Sequence, residues 1–247
     1  MRLSLVIPAR NEARRIEPTL RAYREGLGPE VEILVVANAC ADETAEVARR
    51  VAAEQGGIRV LEIAERIGKG GAVRAGWRET QGEMVGFADA DLATPSESVR
   101  RVLEAATRTG AAIGSRWLTE SRVIGRTPDR DAAGRLFAMF VRAMIGLPFR
   151  DTQCGIKIFD RRFLPRVLEA SRIRDLAFDV ELLLLLRDQG AEIEEVPIEW
   201  TAQPGSATLG TWSGLATHGL RMSASILGLA WRRRSSQQER GRQRQQP

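Results

Sequence analysis

The chain has 247 residues, 43% of them hydrophobic, enough to bury a sizeable core as one large domain or one domain with an appendage. Its two cysteines, Cys40 and Cys154, are far apart and lack CxxC spacing, which excludes a disulfide-held scaffold and a cysteine metal centre and points to a reducing compartment. The formal charge of +5 belongs to the tail: residues 232–247 hold six Arg and one Glu, and the rest carries 31 basic and 31 acidic residues, so nothing in the body argues for nucleic acid.

In chain order, the short β-branched runs LSLVIP (3–8), VEILVV (31–36), IRVLEI (58–63), EMVGFA (83–88) and AAIGS (111–115) alternate with helical patterns. That alternation predicts βαβ units, hence a mostly parallel α/β sheet covered by helices. A helix is expected over 41–55, capped by Asp42, and another after Pro95 with Val99, Val102, Leu103 and Ala106 inward. Right-handed crossovers would gather the loops after each strand at one edge, where open α/β sheets bind ligands. After Ser115 a polar loop (116–131), a helix (132–145), DTQCGIKIF (151–159), a leucine-rich helix around 182–186 and a strand over 191–200 follow. Neither an internal repeat nor a linker long enough to separate two domains is present.

From Ser213 to Trp231, Leu215, Met222, Ile226 and Leu229 share one helical face, with Leu220, Leu227 and Trp231 beside it. Such a helix, followed by the basic tail of 232–247, suits an anionic membrane surface; docking on its own sheet or in a homodimer stays open. No apolar run reaches the roughly 18 residues of a spanning helix, and the start turns polar too early for a secretory signal. The expected location is cytoplasmic, peripheral at the inner face of a membrane.

Three motifs carry chemistry. In DADLATP (89–95), Asp89 and Asp91 end a strand with two hard oxygen donors, suited to Mg2+ or Mn2+ shared with a substrate phosphate; capping of the next helix is the alternative. In VIPARNE (6–12), Asn11 and Glu12 follow the first strand and could hold a base and a ribose, or simply start a helix with Asn11 as its cap. In GKGGAVRAG (68–76), Lys69 sits in a glycine-flanked turn before a helix, which suits a phosphate, although a plain glycine turn competes.

Together these elements resemble the inverting glycosyltransferases of the GT-A fold, in particular the polyprenyl- and dolichyl-phosphate mannosyl- and glucosyltransferases of glycosyltransferase family 2. The resemblance covers most of residues 2–205; DTQCGIKIF, FDVELL (178–183) and EVPIEW (195–200) are similar to the dolichyl-phosphate glucosyltransferase branch. It implies a GT-A domain over 1–212, with a nucleotide-sugar half (1–115) and an acceptor half (116–212). It makes Pro8, Ala9, Arg10, Asn11 and Glu12 nucleotide contacts, Asn38 a base contact, Asp89 and Ala90 sugar-nucleotide contacts and Asp91 the chief metal ligand. Arg116 and Arg135 would meet an acceptor or leaving phosphate, and Asp151, Gln153 and Lys157 would line the acceptor side.

The implied reaction is an in-line displacement moving a hexose from a nucleoside-diphosphate sugar, UDP-sugar favoured over GDP-sugar, to a polyprenyl phosphate, with Mg2+ or Mn2+ and Lys69 neutralising the leaving group. A hydroxyl acceptor would need a base, for which Asp151 and Asp179 are candidates, whereas a phosphate would not. Asp179 could equally cap the leucine-rich helix, and His218 suits a surface or packing role. Two departures are visible: ANAC (37–40) replaces the family's D-D-G-S, and Ala93 stands where a glutamine often does. The ANAC segment leaves open the base and an inactive nucleotide-sugar-binding homologue, and the lack of a spanning run leaves open a soluble small-molecule acceptor.

Overall fold

The computed structural model describes residues 3–203 and 219–233, Arg130 by its backbone only; positions 213–218 of the expected C-terminal helix, His218 among them, and positions 234–247 of the tail lie outside the described residues. All five expected strands form: β1 (Leu3–Ala9), β2 (Val31–Asn38), β3 (Ile58–Ile63), β4 (Met84–Ala88) and β5 (Gly110–Ser115). Between them run α1 (Ala13–Leu27), α2 (Thr44–Gln55), α3 (Gly68–Arg78) and α4 (Ser96–Thr109). The second half comprises β6 (Arg122–Ile124), α5 (Pro128–Ile145), β7 (Ile156–Asp160), α6 (Leu164–Ala170), α7 (Phe178–Asp188), β8 (Glu192–Pro197), β9 (Glu199–Thr201) and a last helix, α8 (219–233).

Seven strands make one sheet in the order β3-β2-β1-β4-β7-β5-β8, and β6 pairs with β9 in a small second one. The large sheet is parallel except for β7, which runs antiparallel between β4 and β5. Along β1 the side chains alternate with the two-residue strand period. Leu3, Leu5 and Ile7 pack with Ile16, Leu20, Val51, Val99 and Val102 from α1, α2 and α4. Val6 faces the other core, with Leu34, Val36, Trp77, Phe178 and Leu182. Because both faces are covered, the strands read as continuous apolar runs.

The sheet's carboxyl edge is also where the backbone is strained. Asn11, Ala39 and Leu92 are non-glycine residues with φ of 57°, 49° and 54°, and they follow the ends of β1, β2 and β4. Such conformations cost on the order of 1–3 kcal/mol each and persist only where the surroundings fix them.

Several boundaries depart from expectation. Helix α5 starts at Pro128, not 132, because a proline with its pre-set φ occupies the first turn, followed by Asp129 and Asp131 at the positive helix end. The β6 strand lies inside the expected loop. Asp42 precedes α2, which starts at Thr44, and its carboxylate accepts the amides of Ala13 (3.1 Å) and Thr44 (3.1 Å), tying the starts of α1 and α2 together. The 191–200 segment breaks at Ile198, where β8 leaves the large sheet and β9 joins β6. Helix α8 docks on its own domain through Ile226, Leu229 and Ala230, and Arg233 pairs with Asp188 at 3.1 Å. No helix among the described residues is long and apolar enough to cross a membrane.

At Gly76 in α3 an added Cβ would lie 2.6 Å from Val6 Cγ1 and 2.9 Å from Val36 Cγ2. Alanine gains about 1 kcal/mol of helix propensity over glycine, whereas overpacking stiff β-branched neighbours costs about 1–3 kcal/mol. Gly76→Ala is therefore expected to lower the urea midpoint without changing the m-value; a raised midpoint would mean that α3 stands off the sheet.

Candidate active site

Asp89 follows β4 directly. Its amide donates to the Gly155 carbonyl at 3.1 Å, and an added Cβ at 155 would lie 2.0 Å from Asp89 Oδ2, so only glycine admits this carboxylate. The rest of the loop hangs from α1: Thr19 Oγ1 donates to the Ala90 carbonyl at 3.0 Å and Tyr23 OH to the Thr94 carbonyl at 2.8 Å. From the other side the Thr201 amide donates to the Ala93 carbonyl at 2.9 Å. Asp91 Oδ1 accepts the Ala93 amide at 3.1 Å and does not cap α4, whose cap position is Pro95, so capping is not what the acidic pair does. Thr19 and Tyr23 were absent from the sequence-based candidates. Their signal was two polar tips four residues apart on α1's buried face, beside Ile16 and Leu20.

Burial and the Asp89 charge both push the Asp91 carboxyl above its ordinary range. Burial also raises Glu12, with Asp91 and Asp89 adding to it against Arg15, which lies 2.5 Å away. Three carboxylates thus share one field, a repulsion that a divalent cation would relieve. Among the described residues no group of three or more His, Cys, Asp or Glu side chains could cage a metal ion. A carboxylate pair with open positions fits Mg2+ or Mn2+, which keep water and phosphate oxygens as ligands.

Beside this pair lies a chain of opposite charges. Lys69 Nζ is 3.2 Å from Asp89 Oδ1 and 3.2 Å from Asp179 Oδ2, and Lys157 Nζ is 2.5 Å from Asp179 Oδ1 and 2.8 Å from the Cys154 carbonyl. The Phe87 ring faces both ammonium groups, at 4.8 and 5.4 Å. Burial alone would lower Lys69, but Asp179 and Asp89 outweigh it and hold the ammonium charged far above its usual range. Asp179 makes no capping bond at the start of α7, which corrects its reading as a cap, and both its oxygens serve lysines. Glu181 faces elsewhere, as its two-residue spacing predicts, and accepts from Ser171 Oγ (2.6 Å) and the amides of Arg172 and Ile173. Burial and Asp151 push the Cys154 thiol up to about 12, so it stays protonated.

The glycines around Lys69 serve packing. At Gly68, with φ of 73°, a Cβ would lie 2.3 Å from the Arg174 carbonyl, and the Gly70 amide donates to that same carbonyl at 3.0 Å. That amide is therefore not open to a phosphate, whereas the Lys69 ammonium reaches the acidic pair at Asp89. The loops after β1 and β2 clamp each other. Asn11 does not cap α1; its Oδ1 accepts the Ala41 amide at 2.8 Å, while the Glu12 amide donates to Thr44 Oγ1 at 2.8 Å. Pro8 is half-buried, Ala9 buried and Arg10 exposed along this edge. The buried Asn38 donates to the carbonyls of Glu65 (2.6 Å) and Ile63 (3.3 Å) and accepts the Ile67 amide (3.1 Å). Its amide thus holds the loop before α3, a structural role beside the base contact that the resemblance implies.

The third cluster centres on Arg116, past β5. Its Nε and Nη2 donate to the buried Asp151 carboxylate at 2.6 and 2.8 Å, and its backbone amide does so at 3.0 Å. Burial opposes the Asp151 charge, yet Arg116 dominates and holds this carboxyl below its ordinary range, which argues against Asp151 as a base. Trp117 and Trp200 flank the guanidinium, with ring centroids 5.9 and 5.6 Å away. Gln153 adjoins it, its backbone amide donating to Asp151 Oδ1 at 3.2 Å. Arg135 sits farther out, exposed on α5 and paired with Asp131 at 2.7 Å; Asp131 in turn accepts from Trp117 Nε1 at 3.1 Å.

Residues 4–167 match the family described as Glycosyl transferase family 2. The chain belongs to that family. It is 34% identical over 206 residues to glycosyltransferase AglD of Haloferax volcanii, covering 80% of this chain and 33% of that protein. It is 34% identical over 234 residues to the dolichyl-phosphate beta-glucosyltransferase of Drosophila melanogaster, covering 87% and 72%. The chain thus spans one third of the first relative and nearly three quarters of the second. The fold is shared with glucosyl-3-phosphoglycerate synthase of Mycobacterium tuberculosis, solved with Mn2+, UDP-glucose and phosphoglyceric acid (TM-score 0.72, 19% identity, 93% of this chain and 79% of that one). In this family 2 chain, then, Glu12, Asp89, Ala90, Asp91, Lys69, Asp179 and Lys157 meet at the ends of β1 and β4. Arg116, Asp151 and Gln153 gather past β5, and the Asp89 charge reaches Arg116 as well.

Asp151→Asn leaves a buried guanidinium without its counter-ion and is expected to cost about 3–5 kcal/mol in chemical unfolding. Because Asp151's folded-state value lies below the ordinary 3.8, its stabilisation is present above that pH and is lost as pH falls below it toward the folded value. The variant's stability should accordingly change less than the parent's across that acid window; identical acid limbs would contradict the pairing.

Proposed function

We propose that the chain is a divalent-metal-dependent, inverting hexosyltransferase that moves glucose from UDP-glucose to a polyprenyl phosphate. The observation that carries this reading is the state of the two carboxylates considered as bases: Asp151 is bound to Arg116 and Asp179 to two lysines. A hydroxyl acceptor needs a base, whereas a phosphate is already ionised near neutrality and is drawn to guanidinium. The relatives named dolichyl-phosphate beta-glucosyltransferase support the same sugar and acceptor, and the shared fold of a UDP-glucose enzyme supports the donor.

In this reading residues 1–115 hold the donor and 116–212 the acceptor. When bound, Mg2+ or Mn2+ at Asp91 and Asp89 supplies positive charge to the donor's pyrophosphate. Lys69, fixed by Asp179, meets the charge that grows on the departing diphosphate. Arg116 keeps N–H donors beyond those given to Asp151 and orients the incoming phosphate, while Trp117 and Trp200 keep water from that side. Asn38 supports the nucleotide by holding the 63–67 loop, so the altered ANAC segment still does structural work at this edge, which argues against a decayed homologue. The outer face of α8, with exposed Leu220, Leu227 and Trp231 beside Arg221 and Arg232, suits a cytoplasmic membrane surface where a lipid acceptor resides.

With UDP-glucose, Mn2+ and a polyprenyl phosphate in detergent, glucosyl-lipid should form. Asp91→Asn and Lys69→Ala should each lower kcat about 100-fold or more. Transfer to water-soluble acceptors alone would replace the lipid with a small molecule, and unchanged turnover in Asp91→Asn would remove the metal-assisted mechanism.

A further inference from the structure

Helix α5 carries an apolar stripe that nothing among the described residues covers. Ala132, Leu136, Met139 and Ala143 recur at i, i+4, i+7 and i+11, hence on one line of the helix, and all four are exposed, Leu136 to 68% and Met139 to 67%. Arg135 and Arg142, seven apart and both exposed, run along one flank of that stripe. The only acids of α5, Asp129 and Asp131, lie in its first turn. The opposite side of α5 closes the Arg116 cluster: an added Cβ at Gly134 would lie 2.9 Å from the Trp117 ring and 2.8 Å from Arg126 Nη2. At its other end α5 meets α8, where Arg233 Nη1 donates to the Ile145 carbonyl at 3.5 Å. Helix α8 shows a second such stripe, Leu220, Ala224, Leu227 and Trp231, with Arg221 and Arg232 on its flank and no acid between 219 and 233.

We propose that the outer face of α5 docks on an anionic lipid bilayer and presents the Arg116 cluster to it. The proposal deepens, and rests on, the reading of that cluster as the site for a lipid phosphate. Apolar side chains of this size enter the headgroup boundary, and the flanking arginines meet anionic headgroups. A second copy of the chain is the poorer occupant. An antiparallel isologous contact through this stripe would set Arg135 and Arg142 of one copy against Arg142 and Arg135 of the other, and the one acid on that flank, Asp131, is already paired with Arg135 at 2.7 Å. Helix α5 thus lies between the membrane and the acceptor pocket, its inner side touching Trp117 and its outer side the lipid.

The test uses the full chain and vesicles of phosphatidylcholine with or without phosphatidylglycerol. Wild type should co-sediment with the anionic vesicles, and Leu136→Glu/Met139→Glu should bind about tenfold more weakly or worse. Arg142→Gln should weaken binding about fivefold, on anionic vesicles only. The milder Leu136→Ser/Met139→Ser pair and an unchanged thermal melt guard against misfolding. Transfer to a short-chain prenyl phosphate in solution should keep its wild-type rate in the Leu136/Met139 variants, while transfer to long-chain acceptor in vesicles falls with binding. Undiminished vesicle binding by these variants would overturn the proposal, and so would loss of a dimer in light scattering in its place. Should wild type glucosylate no prenyl phosphate yet lose vesicle binding on Leu136→Glu/Met139→Glu, the acceptor reading fails while the docking face stands.

Discussion

The cost of gathering like charges at one edge of a sheet shapes this molecule. Asp89 and Asp91 sit close enough to Glu12 to raise its protonation, Asp89 raises that of Asp91 as well, and the fold holds the three there instead of letting them part. Uncharged groups hold the 89–94 loop, namely the Thr19 and Tyr23 hydroxyls, the Gly155 carbonyl and the Thr201 amide, while Arg15 pairs with Glu12 at 2.5 Å. The lysines next door offset the negative field without neutralising all of it, since Asp179 takes up part of their charge. What is left is a net attraction for a cation and a pyrophosphate together, the pairing that hard divalent ions favour.

The reversed strand β7 makes this arrangement. Inserted antiparallel between β4 and β5, it delivers Gly155 against Asp89, Lys157 beneath Asp179, and Asp151 beside Arg116. A seventh parallel strand would point its preceding loop to the opposite edge. One short segment, 151–157, therefore couples the donor-side charges to the acceptor-side ones. A fully buried lysine in a central strand is tolerated because its ammonium meets a carboxylate, a carbonyl and an aromatic face.

Much of this was legible in the chain. The apolar runs at 3–8, 31–36, 58–63, 83–88 and 111–115 became strands because two covered faces demand unbroken apolar side chains, and the carboxyl-edge placement of Asp89 and Asp91 followed from the crossover rule. Strand β7 was not legible: Lys157 interrupts its apolar pattern, and its reason for being buried lies on α7, more than twenty residues on. The partners of Asn38, Asp151 and Asp179 escaped for the same cause. Each looked available for substrate, and each is taken by a group brought near only by tertiary structure: a loop backbone, a guanidinium and two ammonium ions. The glycines around Lys69 signalled close approach correctly, but the approaching group is the 173–174 backbone.

The account stands on a cation and a diphosphate binding jointly at the acidic pair. Titration of Mn2+ into the protein, followed by electron paramagnetic resonance with and without UDP, measures this directly. Weak Mn2+ binding that UDP tightens tenfold or more, and that Asp91→Asn removes, is the expected result. Mn2+ binding indifferent to UDP, or retained in full by Asp91→Asn, would contradict it.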